Sequence, residues 1–182
     1  MAKMMLEIPE ELKGMQEPLQ ALMDEASKQI DRARRGRRMD YERFESLVAE
    51  RVAAVDRGIH AVCLAALDVD APGILIDGEL FRRVGRHPAT YRAGAGEIVV
   101  ERSLYRSAAE RNGKTVNLLS LRSGALDDGW LPGAARAMAY LLHQGTSREA
   151  EQTARQLGRL QYSRSSFERV GHEVGRLYLL RY

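Results

Sequence analysis

The sequence predicts a mostly helical α+β fold: long N-terminal helices, a small antiparallel β-hairpin or sheet in the middle, and a helix-turn-helix-like unit of three helices at the end. Three observations carry this. An apolar stripe runs at helical spacing from Phe44 to Ala66, β-branched and aromatic residues crowd between Ile98 and Tyr105, and helical patterning resumes after Pro132. The chain has 182 residues, 45% of them apolar and 29% charged, which suits ordered structure with a large solvated helical surface. Three regions are expected: helical 1–72 with a possible coiled-coil hairpin or dimer contact, a basic β region over 73–126, and a DNA-binding helical region over 127–182.

The first helix is expected over 17–30, after the first-turn residue Pro18, with Leu19, Leu22, Met23, Ala26 and Ile30 as its apolar stripe. It leads into "DRARRGRRMD", where five arginines in seven residues surround Gly36; such a block reads as a solvated linker or a phosphate-contacting arm. Asp40 is a plausible N-cap for the longest helix. Its stripe of Phe44, Val48, Val52, Val55, Ile59, Val62 and Ala66 is suited either to a hairpin with the preceding helix or to a homodimer through residues 40–68. His60 and Cys63 stand three apart near that stripe, so they read as core positions rather than metal ligands.

"DAPGILIDGE" breaks the helix with Pro72 and Gly73. The β signals follow in "TYRA", the Gly-rich turn at 94–96, "EIVVERSLYR", an Asn-Gly turn at 112–113 and "TVNLLSL", which together predict two or three antiparallel strands. His87 and Pro88 read as part of a basic loop. After Pro132 come three helices. The second opens with the capping box "TSRE" (Thr146 and Glu149), and the third is capped by Ser163 or Ser165. That third helix places Phe167, Val170, Val174 and Leu177 on one face and Ser165, Arg169, His172 and Arg176 on the other. A polar face of Arg, Ser and His suits a DNA major groove, and equally the outside of an ordinary three-helix bundle.

Charge is divided unevenly. Residues 1–81 carry 11 Lys/Arg against 16 Asp/Glu, and residues 82–182 carry 17 against 9, within a net charge of +3. A basic second half points to a polyanion partner, or to an Arg-rich solvated surface. One cysteine excludes an internal disulfide and a four-cysteine zinc site. No apolar run approaches bilayer length, so no membrane contact and a cytoplasmic, nucleoid-associated location are expected. Asp68 and Asp70, and the adjacent Asp127 and Asp128, read as turn and cap residues; no nucleophile, base and orienting group assemble, and no cofactor or metal motif is present.

The string "RRVGRHPATYRAGAGEIVVERSLYR", then "GWLPGAARAMAYLLHQGTSREAEQTARQLGRLQYSRSSFERVGHEVG", resembles the N-terminal part of the ISKra-type insertion-sequence transposases, a DDE recombinase group. The likeness runs from about Phe81 to the end. It implies double-stranded DNA as partner, specifically terminal inverted repeats, and a catalytic domain lying beyond the point where this chain stops. The expectation is therefore a non-catalytic, transposase-derived DNA-binding protein. Residues expected on DNA are Arg148, Arg164, Ser165, Ser166, Arg169, His172 and Arg176 in the C-terminal helices, and Arg82, Arg83, Arg86, Arg102 and Arg106 in the basic hairpin.

Overall fold

In a computed structural model, which describes residues 7–36, 38–110, 112–126 and 129–180, the chain divides into two compact units, Met1–Val62 and Cys63–Tyr182. The border falls inside a helix. Unit one holds a 3-10 turn at Glu10–Met15, helix α1 (Gln16–Arg34) and most of α2 (Tyr41–Leu67). Asp40 caps α2 by accepting from the Arg43 N–H at 3.1 Å.

Helix α1 is longer than its sequence pattern, and Arg32 and Arg34 form its last turn, where cations favour the negative end of the helix dipole. Arg32 and Arg34 thus close a helix, whereas Arg35 and Arg38 lie in the connection to α2 as a linker would; Gly36 turns the chain at φ 67°, and Arg37 lies outside the described residues. The apolar stripe of α1 is rotated from its expected position. Met23 and Ile30 are about half exposed, at 49% and 51%, while Gln29 is buried and donates to Glu25 at 2.7 Å. The 3-10 turn explains part of this: Met15 is buried and lies so close to α2 that a Cβ on Gly58 would stand 2.7 Å from its sulfur. His60 and Cys63 correct a second expectation. His60 pairs with Asp56 at 3.3 Å and Cys63 is exposed, so neither is a core residue.

Unit two begins with a three-stranded antiparallel sheet in the order β1 (Gly73–Ile76), β2 (Glu79–Ala93), β3 (Gly96–Ser107). β1 and β2 are joined by Asp77 and Gly78, both at positive φ (50° and 83°), the backbone of a tight hairpin turn of the primed type. The segment carrying His87 and Pro88 is strand, not loop. Pro88 pairs with Glu101 on one side, and on its other side β1 has already ended, so the missing N–H leaves no ladder bond unmade. "TVNLLSL" is not a strand: Val116 makes a single bridge to Tyr105, and Asn117 then caps α3 (Leu118–Ser123), which closes at Gly124 with φ 66°.

α3 leads across the sheet from the β3 edge at Val116 to the β2 edge, where Trp130 bridges Arg92. Tyr91, Ile98, Val100 and Leu119 are buried, and Tyr91 Oη lies 2.8 Å from Ser120 Oγ. Three helices follow, α4 (Pro132–Gln144), α5 (Ser147–Gln156) and α6 (Arg164–Leu179), around a core of Trp130, Ala134, Ala135, Met138, Ala150, Ala154, Leu160, Phe167 and Val170. The alanines on α4 and α5 let the helices approach closely. The hairpin tip is tied to this core: Leu160 N–H donates to Gly94 O at 2.9 Å, Tyr162 Oη donates to Ala93 O at 2.7 Å, and Tyr162 meets Trp130 edge to face at 4.6 Å. Leu160 holds φ 55°, a costly conformation for a branched residue, offset by its burial and its backbone hydrogen bond.

The capping box of α5 is complete. Thr146 Oγ1 accepts from the Glu149 N–H at 3.3 Å, and the Glu149 carboxylate accepts from the Thr146 backbone N–H at 2.7 Å. That backbone hydrogen bond, with the Thr146 side chain second, holds the Glu149 carboxyl below its usual range. A lowered folded value means the charge contributes fully above the ordinary carboxylate range and is lost as pH falls through the lowered value. Melting curves of wild type and Glu149→Gln should therefore differ near pH 7 and converge as the pH falls below the ordinary carboxylate range. An equal gap at both ends would show that the charge of Glu149 adds nothing to the cap.

Candidate nucleic-acid interface

The basic residues of unit two separate into paired and open groups. Pairing along β2 and β3 sets which share a face: Arg82 stands opposite Arg106, and His87 opposite Arg102. Strand alternation puts Arg83 on the other face, opposite Tyr105, and a register shift between Arg83 and Gly85 brings Arg86 to that same face, opposite Ser103. The five hairpin arginines named from the sequence therefore do not form one surface.

On the second face the arginines meet carboxylates. Arg83 pairs with Asp70, and Arg86 lies 3.2 Å from Asp70 and 4.0 Å from Asp68. Asp68 is more than a turn residue. Its carboxylate, only 6% exposed, accepts from the Ser103 N–H at 3.0 Å and from Ser103 Oγ at 2.9 Å, closing the outer edge of β3 just after α2 ends. Tyr105 secures the same segment through its hydroxyl, which donates to Ala71 O at 3.1 Å. Asp127 and Asp128 lie outside the described residues.

On α6 the apolar face falls where the sequence placed it. Phe167 and Val170 are buried, Val174 and Leu177 half-buried, and Ser165, Arg169, His172 and Arg176 are exposed opposite them. Ser163 is the N-cap, accepting from the Ser166 N–H at 3.4 Å, and the Ser165 and Ser166 hydroxyls each lie 3.0 Å from its own. Two of the helix arginines are held by their own helix: Arg164 by Glu168 at 3.3 Å, and Arg176 by Glu173 through contacts of 3.1 and 2.5 Å. The Arg176 hydrogen bond keeps the Glu173 carboxyl below its usual range. Exposed pairs of this kind contribute little, so an incoming phosphate competes with them at small cost. Arg148 lies exposed in the first turn of α5.

The connections also bear on helix-turn-helix character. α4 and α5 are separated only by Gly145 and Thr146, whereas α5 and α6 are joined by residues 157–163, longer than the three or four residues usual between the two helices of such a motif. Leu160 and Tyr162 use that longer connection to grip the hairpin tip.

Two residues absent from the sequence-derived set stand beside α6. Arg92 Cζ sits 5.3 Å from the Trp130 ring centroid, while its Nε lies 3.2 Å from Glu97. Trp130 is buried and its indole N–H has no acceptor among the described residues. Each lines a cleft with Arg169: Arg92 one of about 690 Å³ under β2 and α3, and Trp130 one of about 490 Å³ along α6 with His172 and Arg176. Tryptophan in "GWLP" was the only sequence signal, and it named a helix start rather than a cleft wall.

Among the described residues no three His, Cys, Asp or Glu side chains are placed to hold a metal ion, and no helix is long and apolar enough to cross a membrane. Comparison with protein-family models, with curated proteins and with solved structures yields no match for the chain.

Proposed function

We propose that residues 63–182 form a non-catalytic DNA-binding module that reads terminal inverted repeats, as the resemblance to the N-terminal part of ISKra-type transposases implies. The observation that carries the reading is α6: its apolar face is seated in the core by the buried Phe167 and Val170, and its opposite face presents Ser165, Arg169, His172 and Arg176 to solvent. Arginine and histidine on an exposed helix face have the donors that guanine edges and phosphates accept. In this reading Arg169 supplies base contacts, while Arg148 and the sheet arginines Arg82, Arg102 and Arg106 meet backbone phosphates.

The test is binding of the purified chain to duplexes bearing the inverted repeats that flank its gene, with scrambled duplex as control, at two salt concentrations. Preference for the repeats and a steep loss of affinity with salt are expected, and Arg169→Ala should remove the preference without moving the thermal transition. Equal binding to both duplexes sinks the sequence-reading role of α6. A second reading, a helical dimeric interaction protein, is favoured by Val52 and Ile59, both 48% exposed within the apolar stripe of α2. A monomer by sedimentation at the concentration of the binding assay removes it.

A further inference from the structure

We propose that the cleft beneath β2 and α3 is an anion site that takes a phosphate group, anchored by Arg102. Three arginines from separate elements converge on it, Arg92 from β2, Arg102 from β3 and Arg169 from α6, and Thr115, Asn117 and Ser120 add polar atoms on the α3 side. None of the described residues lining it is acidic. The volume of about 690 Å³ lies within the range of small-ligand sites and exceeds what a phosphate alone fills.

Arg102 is the residue that asks for a ligand. Arg83 and Arg86 of the same hairpin, and Arg155, Arg164 and Arg176 of the helices, each have a carboxylate. Arg102 is half-buried, its Nε is shut off from solvent with no acceptor among the described residues, and its cross-strand neighbour is His87. Further along the same sheet face, beyond Gly85 opposite Leu104, Arg82 stands opposite Arg106, so the face that carries Arg102 is basic. A guanidinium partly removed from water with an unmet donor carries a desolvation cost, and the planar fork fits two oxygens of a phosphate. Arg92 is engaged by Glu97, and Arg169 has interactions of its own, so these two shape the field around the anion rather than anchor it.

The phosphate belongs either to a DNA backbone, in which case the inference rests on the DNA-binding reading, or to a free phosphate or nucleotide. The cleft shares Arg169 and Leu126 with the groove along α6, so a backbone phosphate held at Arg102 leaves the strand beside that helix. The experiment uses the full chain and two probes, inorganic pyrophosphate and inverted-repeat duplex, on wild type, Arg102→Gln and Arg102→Lys, with Arg169→Gln as a variant outside the sheet. Pyrophosphate should raise the melting temperature of wild type, Arg102→Gln should abolish that shift, and Arg102→Lys should restore part of it.

With duplex, Arg102→Gln should weaken binding about tenfold for repeat and scrambled DNA alike and lower the salt slope by about 0.9, the signature of one lost phosphate contact. A pyrophosphate shift present in wild type and lost in Arg102→Gln, with no duplex binding by wild type, supports the cleft with a free phosphate as its ligand and removes the DNA reading alone. Duplex binding with a pyrophosphate shift and salt slope indifferent to Arg102→Gln overturns the cleft and spares the DNA reading. Arg169→Gln should reduce the shift without abolishing it; if Arg102→Gln fails to fold, Arg102→Lys decides, and a pyrophosphate shift equal to that of wild type in that variant overturns anchoring by the Arg102 fork.

Discussion

Replacing Phe167 with alanine is expected to destabilise the 63–182 unit by about 3–5 kcal/mol, the range for truncating a fully buried phenylalanine. Phe167 has no exposed surface and sits among Trp130, Met138, Ala150, Ala154 and Val170. The cost depends on how well the site collapses. Two of those neighbours are alanines with no side chain to swing inward, so the cavity persists and the upper half of the range applies. Trp130 is the only tryptophan of the chain and lies in the same core, so its fluorescence follows this unit during denaturant unfolding. A loss below about 1 kcal/mol would mean that α6 is not seated by Phe167. The consequence for function is direct. The exposed face of α6 is oriented only by the burial of its opposite face, so binding should disappear with the fold in Phe167→Ala, whereas Arg169→Ala leaves the fold intact.

The sequence revealed most where the physics is local. The faces of α6, the capping box at Thr146 and Glu149, and the hairpin turn at 94–96 all rest on spacing within a few residues, and the structure follows them. The strand at 73–76 was hidden because Pro72 and Gly73 read as breakers, although Asp77–Gly78 is itself a hairpin signal. "TVNLLSL" has strand composition, yet Asn117 and Gly124 cap a helix within and after it, and caps outweigh a weak β preference in so short a segment. The candidate site was less legible. Nothing near Arg83 and Arg86 in sequence discloses that the chain returns Asp68 and Asp70 to them, or that strand alternation with a register shift separates them from Arg82, Arg102 and Arg106. Arg92 and Trp130 meet across 38 positions, a proximity that periodicity does not encode.

Alanine at Gly129 should be the most damaging single-methyl change in this region. Gly129 holds φ 77°, where an L side chain costs roughly 1–2 kcal/mol, and a Cβ there would stand 2.4 Å from the carbonyl oxygen of Thr90. That obstacle is backbone of β2, so the loop must move instead. Moving it strains the bond from the Leu131 N–H to Arg92 O (3.0 Å) and that from the Leu126 N–H to Trp130 O (2.8 Å), each contributing about 1 kcal/mol net. The expected loss is about 3 kcal/mol in total, with Trp130 displaced from Arg92. Gly133→Ala is the control: it lies in the first turns of α4 with open space around its Cβ and no positive φ, so helix propensity should leave stability unchanged or raise it by up to about 1 kcal/mol. Thermal melts of the two variants compare the same methyl group four residues apart. Equal melting temperatures would show that Gly129 and Trp130 are not fixed against β2. If Gly129→Ala alone is destabilised and also loses its response to pyrophosphate, the position of Gly129 and Trp130 against the β2 edge, and not charge alone, builds the anion cleft, because the substitution removes no cation.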